Sequence, residues 1–503
     1  MSFLTFPLSS FVDTPFARSS GNRGKRSPSL TVRSNLTERF IDLPDDSDEE
    51  GAGPSSSAEE RKGQSEGDVT TASAALSGTE EGDEVLELAE GAVEEMTKDL
   101  GDRAREAQQF MKGAEGGAGE KEENPHLRKY ADEEPSDENW PKHHKHIFVL
   151  SNAGKPIYSR YGDESKLSGV IGLLSAMISF AETEDDEIHE IIAGIHKIVF
   201  FQKGPLYFAS VSRTKEPTSD LVLQLEYVHS QIICLLTAGV NRIFVSRADF
   251  DLRNLLSGTE KMFDNLLSVM DHDPSIFTDS IHCLPLEQGV RNTVGKILQE
   301  CRSSSVLYGM IIARRQIVNM IRPRKHPLLP ADLHLILNVV NSSTSFRTNE
   351  SWSPICLPQF NEKGFMHSYV TYIAEDICLL LISTKGDSFY ELSECAKKIL
   401  LGLEVNNCLV EIEAALQSSR YTVEEVGSPE LLHFMYISRI TRQLTMPDMT
   451  APYSNRHARK RLFRLYQYVH NRSRSHEIFY YSSKNEIVLG WETHHVCVRS
   501  LFL

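Results

Sequence analysis

From Trp140 onward the chain alternates between short runs with every second residue apolar and longer runs in which apolar residues recur every three or four positions. These are the signatures of half-buried strands and amphipathic helices. The stretch from His146 to Phe180 contains both. Ile147 to Leu150 and Pro156 to Tyr161 predict two strands joined through SNAGK, whose Asn and Gly suit a hairpin turn. Past Gly162, Asp163 or Ser165 can cap a helix by accepting a hydrogen bond from an unpaired N–H of its first turn. That helix carries two apolar stripes. Leu167, Ile171, Leu174, Ile178 and Ala181 form the one expected to lie on the sheet. Val170, Leu173, Met177 and Phe180 form the other, with the small residues Gly169, Gly172, Ser175 and Ala176 between. A helix apolar on two faces needs two covers. The second is either more of the same domain or a partner, and periodicity leaves both open.

The same grammar continues. His196 to Phe201 and Leu206 to Ser212 predict a second hairpin, followed by helices over SDLVLQLEYVHSQIICLL and from Asn254 to Met270, the last stopped by Asp273-Pro274. The order β-β-α-β-β-α-α, rich in hairpins, implies an antiparallel sheet. A second unit repeats it: a hairpin over 306–321 turning near Arg314 and Arg315, a helix over 330–342, a strand pair over 365–384 and a capped helix over 387–403. A third runs from LHFMYISRITRQLT through a basic helix around Arg456 to His470 and ends in the hairpin HEIFYYSSKNEIVLGWE. The expected fold is α+β, three domains of similar plan over 140–275, 280–405 and 430–503 after an N-terminal region, 1–139. Nothing in the third unit supplies terminal helices.

Charge separates that N-terminal region from the rest. The first 140 residues hold 32 of the 70 acids and 15 of the 53 bases, so the whole net charge of −17 lies there. The segment 35–135 has too few large apolar residues to offset the entropy of ordering and is expected to be disordered. Ser47, set in LPDDSDEE, suits an acidophilic kinase, and Val85, Ala89, Val93, Met96 and Leu100 trace a marginal acidic helix. The opening 26 residues, poor in acids, read as a disordered basic arm. Eight cysteines without CxxC spacing, most in apolar runs, fit a reducing compartment. The sequence has no run of 18 apolar residues.

Catalytic motifs are missing from this pattern. Gly154-Lys155 sits in a hairpin loop with Val149 where a phosphate-binding loop needs its first glycine, and no GxSxG occurs. His143, His144 and His146, or His494, His495 and Cys497, lack a second ligand set at metal spacing, so neither a metal nor a cofactor is expected. The basic helix is different. Arg456, Arg459, Lys460, Arg461 and Arg464, interleaved with Leu462, Phe463, Leu465 and Tyr466, form a patch suited to anionic head groups, against the plainer reading of a solvated face. Arg322, Arg324 and Lys325 form a smaller cluster. Nucleic acid is disfavoured, because acids and bases balance beyond residue 140.

The runs HKHIFVLSNAGKPIYSRYG, LSGVIGLLSAMISF and HKIVFFQKGPLYFASVSR resemble the SAND (Mon-one) family of vacuolar-fusion proteins. RIFVSRADFDLRNLL, SWSPICLPQFNEKGFMHSYV and APYSNRHARKRLFRLYQYVH follow in the expected order. The resemblance implies three longin-type domains and no covalent catalysis. It implies a subunit of a guanine-nucleotide exchange factor, paired with a Ccz-one-type longin subunit and acting on a late-endosomal Rab GTPase. An early-endosomal Rab and a phosphoinositide-bearing membrane would recruit this cytoplasmic complex to endosomal and vacuolar surfaces. The second stripe (Val170, Leu173, Met177, Phe180) is then the expected partner or GTPase platform, and Arg456, Arg459, Lys460, Arg461 and Arg464 the expected membrane contact. A non-catalytic longin adaptor or tether is the alternative. One departure stands out: relatives continue past GWE with another strand and a long helix, whereas this chain runs THHVCVRSLFL. The third domain is therefore expected to be incomplete, with an uncovered sheet face.

Overall fold

In the computed structural model, residue 128 and residues 130–502 are described, apart from 184–185, 248–249, 343, 348–349, 419–420, 429, 474–476 and 484–485. The acidic segment up to residue 127, with Ser47 and the stripe from Val85 to Leu100, lies outside them. The described residues include contacts made ahead of the expected boundary at 139. The Arg128 guanidinium donates to both carboxylate oxygens of Asp264, at 2.9 and 3.0 Å, and its carbon lies 5.2 Å from the Tyr158 ring centre.

The first domain is a sheet of β1 (Lys145–Ser151), β2 (Pro156–Ser159), β3 (Glu190–Ala193), β4 (His196–Lys203) and β5 (Leu206–Ser212), in the order β2-β1-β5-β4-β3. Every neighbouring pair is antiparallel. Strand alternation assigns the two faces. Phe148, Leu150, Phe200 and Ala209 pack with helix α1 (Ser168–Thr183), while Ile147, Val149, Val199 and Phe208 pack with α2 (Thr218–Leu236) on the opposite side. The turn before α1 requires glycine: Gly162 has φ 78°, and a Cβ there would sit 2.6 Å from the Glu133 carbonyl oxygen. The helix expected over 254–270 is broken at Gly258, and α3 covers only Glu260–Met270. Asp273 then caps the short helix Pro274–Phe277, and β6 (Ile281–His282) follows.

The second domain starts with a helix that periodicity missed, α4 (Gln288–Glu300), followed by β7 (Tyr308–Ala313), β8 (Gln316–Ile321), α5 (Pro330–Ser342), β9 (Ser351–Leu357), β10 (Glu362–Ala374), β11 (Ile377–Ser383) and α6 (Phe389–Val405). Its strand order is β8-β7-β11-β10-β9. The third contains β12 (Leu431–Ser438), β13 (Gln443–Thr445), α7 (Arg456–Ser473), β14 (Ile478–Ser482), β15 (Ile487–Glu492) and β16 (Val496–Phe502), ordered β14-β15-β16-β12-β13, with β6 added parallel to β13. Each domain therefore uses one permutation, in which the last strand lies between the first and the fourth.

The third domain departs from expectation in one respect. The segment VCVRSLF is not a tail but the central strand β16, paired with β12 and β15. Ile478, Tyr480, Leu489 and Trp491 are exposed on the side of the sheet away from α7.

Domains one and two share a core. The outer side of α2 and α3 meets α5, where the buried Asn338 amide donates at 2.9 Å to both Gln231 Oε1 and the Met262 carbonyl. The third domain docks through Phe277, whose ring centre is 5.5 Å from that of Phe463, and through Asn471, whose amide donates to Asp220 at 2.9 Å.

A buried acid on α5 is expected to make stability pH-dependent. Asp332 is 1 % exposed and accepts the N–H groups of Gln359 and Phe360 at 3.1 Å each. Burial raises its carboxyl to about 6, although the two donors pull the other way. Because the folded-state value lies above the unfolded one, the protonated acid stabilises the fold below about pH 4, and that contribution disappears as pH rises through 6. A shift of about two units corresponds to about 3 kcal/mol. Asp332→Asn is expected to flatten the decline in urea midpoint between pH 4 and 6.5. A variant with the parent's slope would remove Asp332 as the source.

Candidate functional site

Helix α1 forms because Asp163 accepts the N–H of Ser165 at 2.8 Å in the turn preceding it and because its apolar stripe finds the sheet. Leu167, Ile171, Leu174 and Ile178 are buried, and Ala181 is half-buried at the end of that stripe. The second stripe divides. At 3.6 residues per turn, Val170 and Met177 lie roughly 70 to 90° from the centre of the buried stripe, and Leu173 and Phe180 roughly 130 to 150°. Val170 and Met177 are accordingly half-buried against the flank of the core, while Leu173 is 58 % and Phe180 74 % exposed.

Exposure alone does not single out this helix, since Tyr390, Leu401 and Val405 on α6 are also exposed. Topology does. The helix between the second and third strands is α1 in the first domain, α5 in the second and α7 in the third. The outer side of α5 is covered by α2 and α3, and α7 packs against the Pro274–Phe277 helix. Among the described residues, the outermost apolar side chains of α1 have no such cover.

The five bases of the predicted patch on α7 do not share one surface. Arg461 donates to both oxygens of Glu486, each at 2.7 Å, beside the Tyr453 hydroxyl. Arg456, Arg459, Lys460 and Arg464 instead line a cavity of about 860 Å³ at the junction of all three domains. Lys142 of the first domain and Arg315, from the turn between β7 and β8, line it too. Sequence reasoning noted Arg315 only as a turn residue and had no signal for its approach to α7. Arg322, Arg324 and Lys325 are exposed beyond β8.

The cavity has a charged floor. Lys145 donates to Glu216 at 2.9 Å and contacts Asp271 at 2.7 Å, while Arg160 donates to the other oxygen of Asp271 at 2.6 Å. Burial alone would lower the Lys145 ammonium, but Asp271 and Glu216 more than offset it and raise its pKa. Burial works against both acids as well, and Lys145 outweighs it, so both carboxyls lie below their ordinary values.

The other candidate ligands are accounted for structurally. His143 stacks on Tyr161 with ring centres 3.7 Å apart and meets Glu133 at 2.6 Å, and His146 packs on Trp140. Cys497 is a buried thiol on β16, and all eight cysteines are free. No group of three potential metal-binding side chains occurs among the described residues. No single described helix is long and apolar enough to cross a bilayer; α2 approaches that character only together with the helix Val240–Ser246, bent by 90°, and α2 is largely buried between two sheets.

Comparison with known proteins places these three sheets in one group. Family models described as the first, second and third longin domains of FUZ, MON1 and HPS1 match residues 145–266, 304–401 and 430–502. Among individual proteins, the chain is 42% identical over 369 residues to human "Vacuolar fusion protein MON1 homolog A", an alignment covering 72% of this chain and 57% of that protein. It is 39% identical over 369 residues to "Protein SAND" of Takifugu rubripes, covering 72% and 71% of the two chains, and 35% identical over 398 residues to the Arabidopsis thaliana MON1 homologue, covering 73% and 66%. The chain thus spans less than two thirds of the length of the human relative.

Proposed function

Because the chain belongs to the MON1 (SAND) family of vacuolar fusion proteins, we propose that it is the longin subunit of a heterodimeric guanine-nucleotide exchange factor for a late-endosomal Rab GTPase. The observation that carries this reading is the outer side of α1, where Leu173 and Phe180 stand in solvent on a helix whose counterparts in the other two domains are covered. An isolated domain gains nothing from such a ridge, whereas a second longin subunit would bury it and form a composite surface.

The mechanism is differential binding. A GTPase holds GDP with its own switch loop and magnesium ion; a platform with higher affinity for the opened, nucleotide-free form shifts the population towards release, and abundant GTP refills the site. Such a device needs neither nucleophile nor general base, in keeping with the absence of catalytic motifs from the sequence. The reading carries Val170, Leu173, Met177 and Phe180 as platform residues, the half-buried pair supporting the exposed one. It also carries peripheral recruitment to an anionic endosomal membrane and an early-acting Rab, with Arg456, Arg459 and Lys460, exposed at the cavity mouth, as membrane contacts and Arg461 and Arg464 beside them.

The test is release of a fluorescent GDP analogue from the Rab by the chain co-purified with a Ccz-one-type subunit. Release accelerated by about 100-fold or more over the intrinsic rate is expected. Stable binding to the Rab with an unchanged release rate would identify an adaptor or tether instead.

A further inference from the structure

The cavity between the three domains is strongly unbalanced in charge. Eight lysines and arginines line it against three carboxylates, Glu216, Asp271 and Asp273. All three acids are already committed: Glu216 to Lys145, Asp271 to Lys145 and Arg160, and Asp273 to His282 and the N–H of Ser275, each at 2.9 Å. Six bases remain, namely Lys142, Arg315, Arg456, Arg459, Lys460 and Arg464. Among the described residues none of them forms a direct ion pair with an acid, although the charge of Asp273 favours that of Arg315. Lys142 donates to the Asn139 side chain and Arg459 to the Tyr453 carbonyl, both neutral acceptors.

Their origin adds to the imbalance. One comes from the first domain, one from the second and four from α7 of the third, so the domain junction brings like charges together instead of pairing them. The four on α7 follow the spacing of one helix face, and Arg461, off that face, is the base that pairs with an acid. At the turn between β7 and β8, Arg314 takes the left-handed conformation, φ 54°, and pairs outward with Asp376 at 2.8 Å. Arg315 is thereby turned towards the cavity, where it is half-buried; burial disfavours its charge, and the Asp273 carboxylate offsets that only in part. A recessed guanidinium whose charge is only partly compensated costs stability unless an anion arrives.

We infer that this cavity binds a small, densely phosphorylated anion of the inositol-polyphosphate class, held between the three domains. Several phosphate groups on a rigid ring match bases spread over separate walls, whereas one phosphate reaches only a few of them. The volume lies within the range of small-ligand sites. Arginine is suited to the task, since its planar fork binds phosphate through two parallel hydrogen bonds. The ligand reaches both the exposed bases at the mouth and the half-buried Arg315 and Arg464, which favours a free solute over a head group tethered to a bilayer. Its binding closes the junction by linkage, because only the assembled three-domain state gathers all six bases. This inference is independent of the exchange platform on α1, but it competes with the membrane contact for Arg456, Arg459 and Lys460, and the vesicle comparison below separates the two.

Inositol hexakisphosphate, titrated by calorimetry into the full chain with its co-purified partner at physiological salt, is the probe. Saturable one-to-one binding is expected, together with a rise in Tm. Replacing Arg315 and Lys460 with glutamine is expected to weaken it about 100-fold, roughly tenfold for each charge-assisted contact. Arg456→Gln with Lys460→Gln, confined to exposed positions, gives the same reading should the buried position compromise folding. Lys397→Gln, on the surface of α6, should leave binding unchanged. The inference is overturned by absence of saturable binding, by equal affinity in the cavity variants, or by equal competition from inorganic phosphate. It is also overturned if vesicles carrying phosphorylated phosphatidylinositol bind in an Arg315-dependent manner while the free polyphosphate does not.

Discussion

Aspartate at both Leu173 and Phe180 is expected to lower affinity for the longin-type partner by at least about 100-fold while leaving the fold of the chain intact. Central apolar anchors of an interface typically contribute about 2 kcal/mol or more each, and a buried unpaired carboxylate adds a desolvation penalty to that loss. In the free chain both positions are mostly in solvent, where a charge costs within about 0.5 kcal/mol. Affinity should therefore collapse while Tm stays where it was, a separation measurable by calorimetric titration and scanning calorimetry on the same preparation. Ile171→Asp should do the reverse and destabilise the domain, because that side chain lies against the sheet at 3 % exposure. If the double aspartate variant bound the partner with parental affinity, α1 would not be the platform.

A comparably large effect on stability is expected at the floor of the cavity. Lys145→Met should destabilise the first domain by about 3–5 kcal/mol, since it leaves Glu216 and Asp271 with much less compensation. Loss of packing is not the cause, as methionine retains most of the aliphatic stem, and pairing the substitution with Glu216→Gln should recover a substantial part of the loss. The pH dependence has a definite sign. Both acids are held below their ordinary values in the folded parent, so their contribution is present above about pH 4 and is lost as pH falls through the folded-state values. In the Met variant the bare carboxylates can simply protonate. The stability gap between parent and variant should thus narrow on acidification, and a gap unchanged from pH 7 to pH 3.5 would argue against a charge-based origin.

The repeated α+β plan was legible because its central strands alternate cleanly and its hairpins turn through Gly, Asn or Arg. The strands that escaped notice were mostly at sheet edges. β3 lies in an acidic stretch, and β9 contains Pro354, which an edge strand tolerates because one side of it makes no ladder bonds. β16 escaped for another reason: seven residues after an apparent final hairpin read as a tail, although pairing with β12, more than 50 residues earlier, makes them central. The double stripe on α1 was visible in the periodicity, and so was the angular order that sets Val170 and Met177 nearer the sheet than Leu173 and Phe180; that no neighbouring element covers the outer pair was not, because it depends on how the domains pack. The charged cavity was out of reach altogether. Lys142, Arg315 and Arg464 are separated by well over 100 residues each, and only the docking of three domains brings them together.

The shared strand permutation bears on how such a chain acquires its fold during synthesis. In every domain the strand made last is inserted into the middle, β5 between β1 and β4, β11 between β7 and β10, β16 between β12 and β15. Until that segment leaves the ribosome, the earlier part of each domain consists of two separate ribbons with their inner edges bare, held apart by the missing piece. Each unit therefore passes through a vulnerable interval just before completion, in which chaperone binding or mispairing competes with closure.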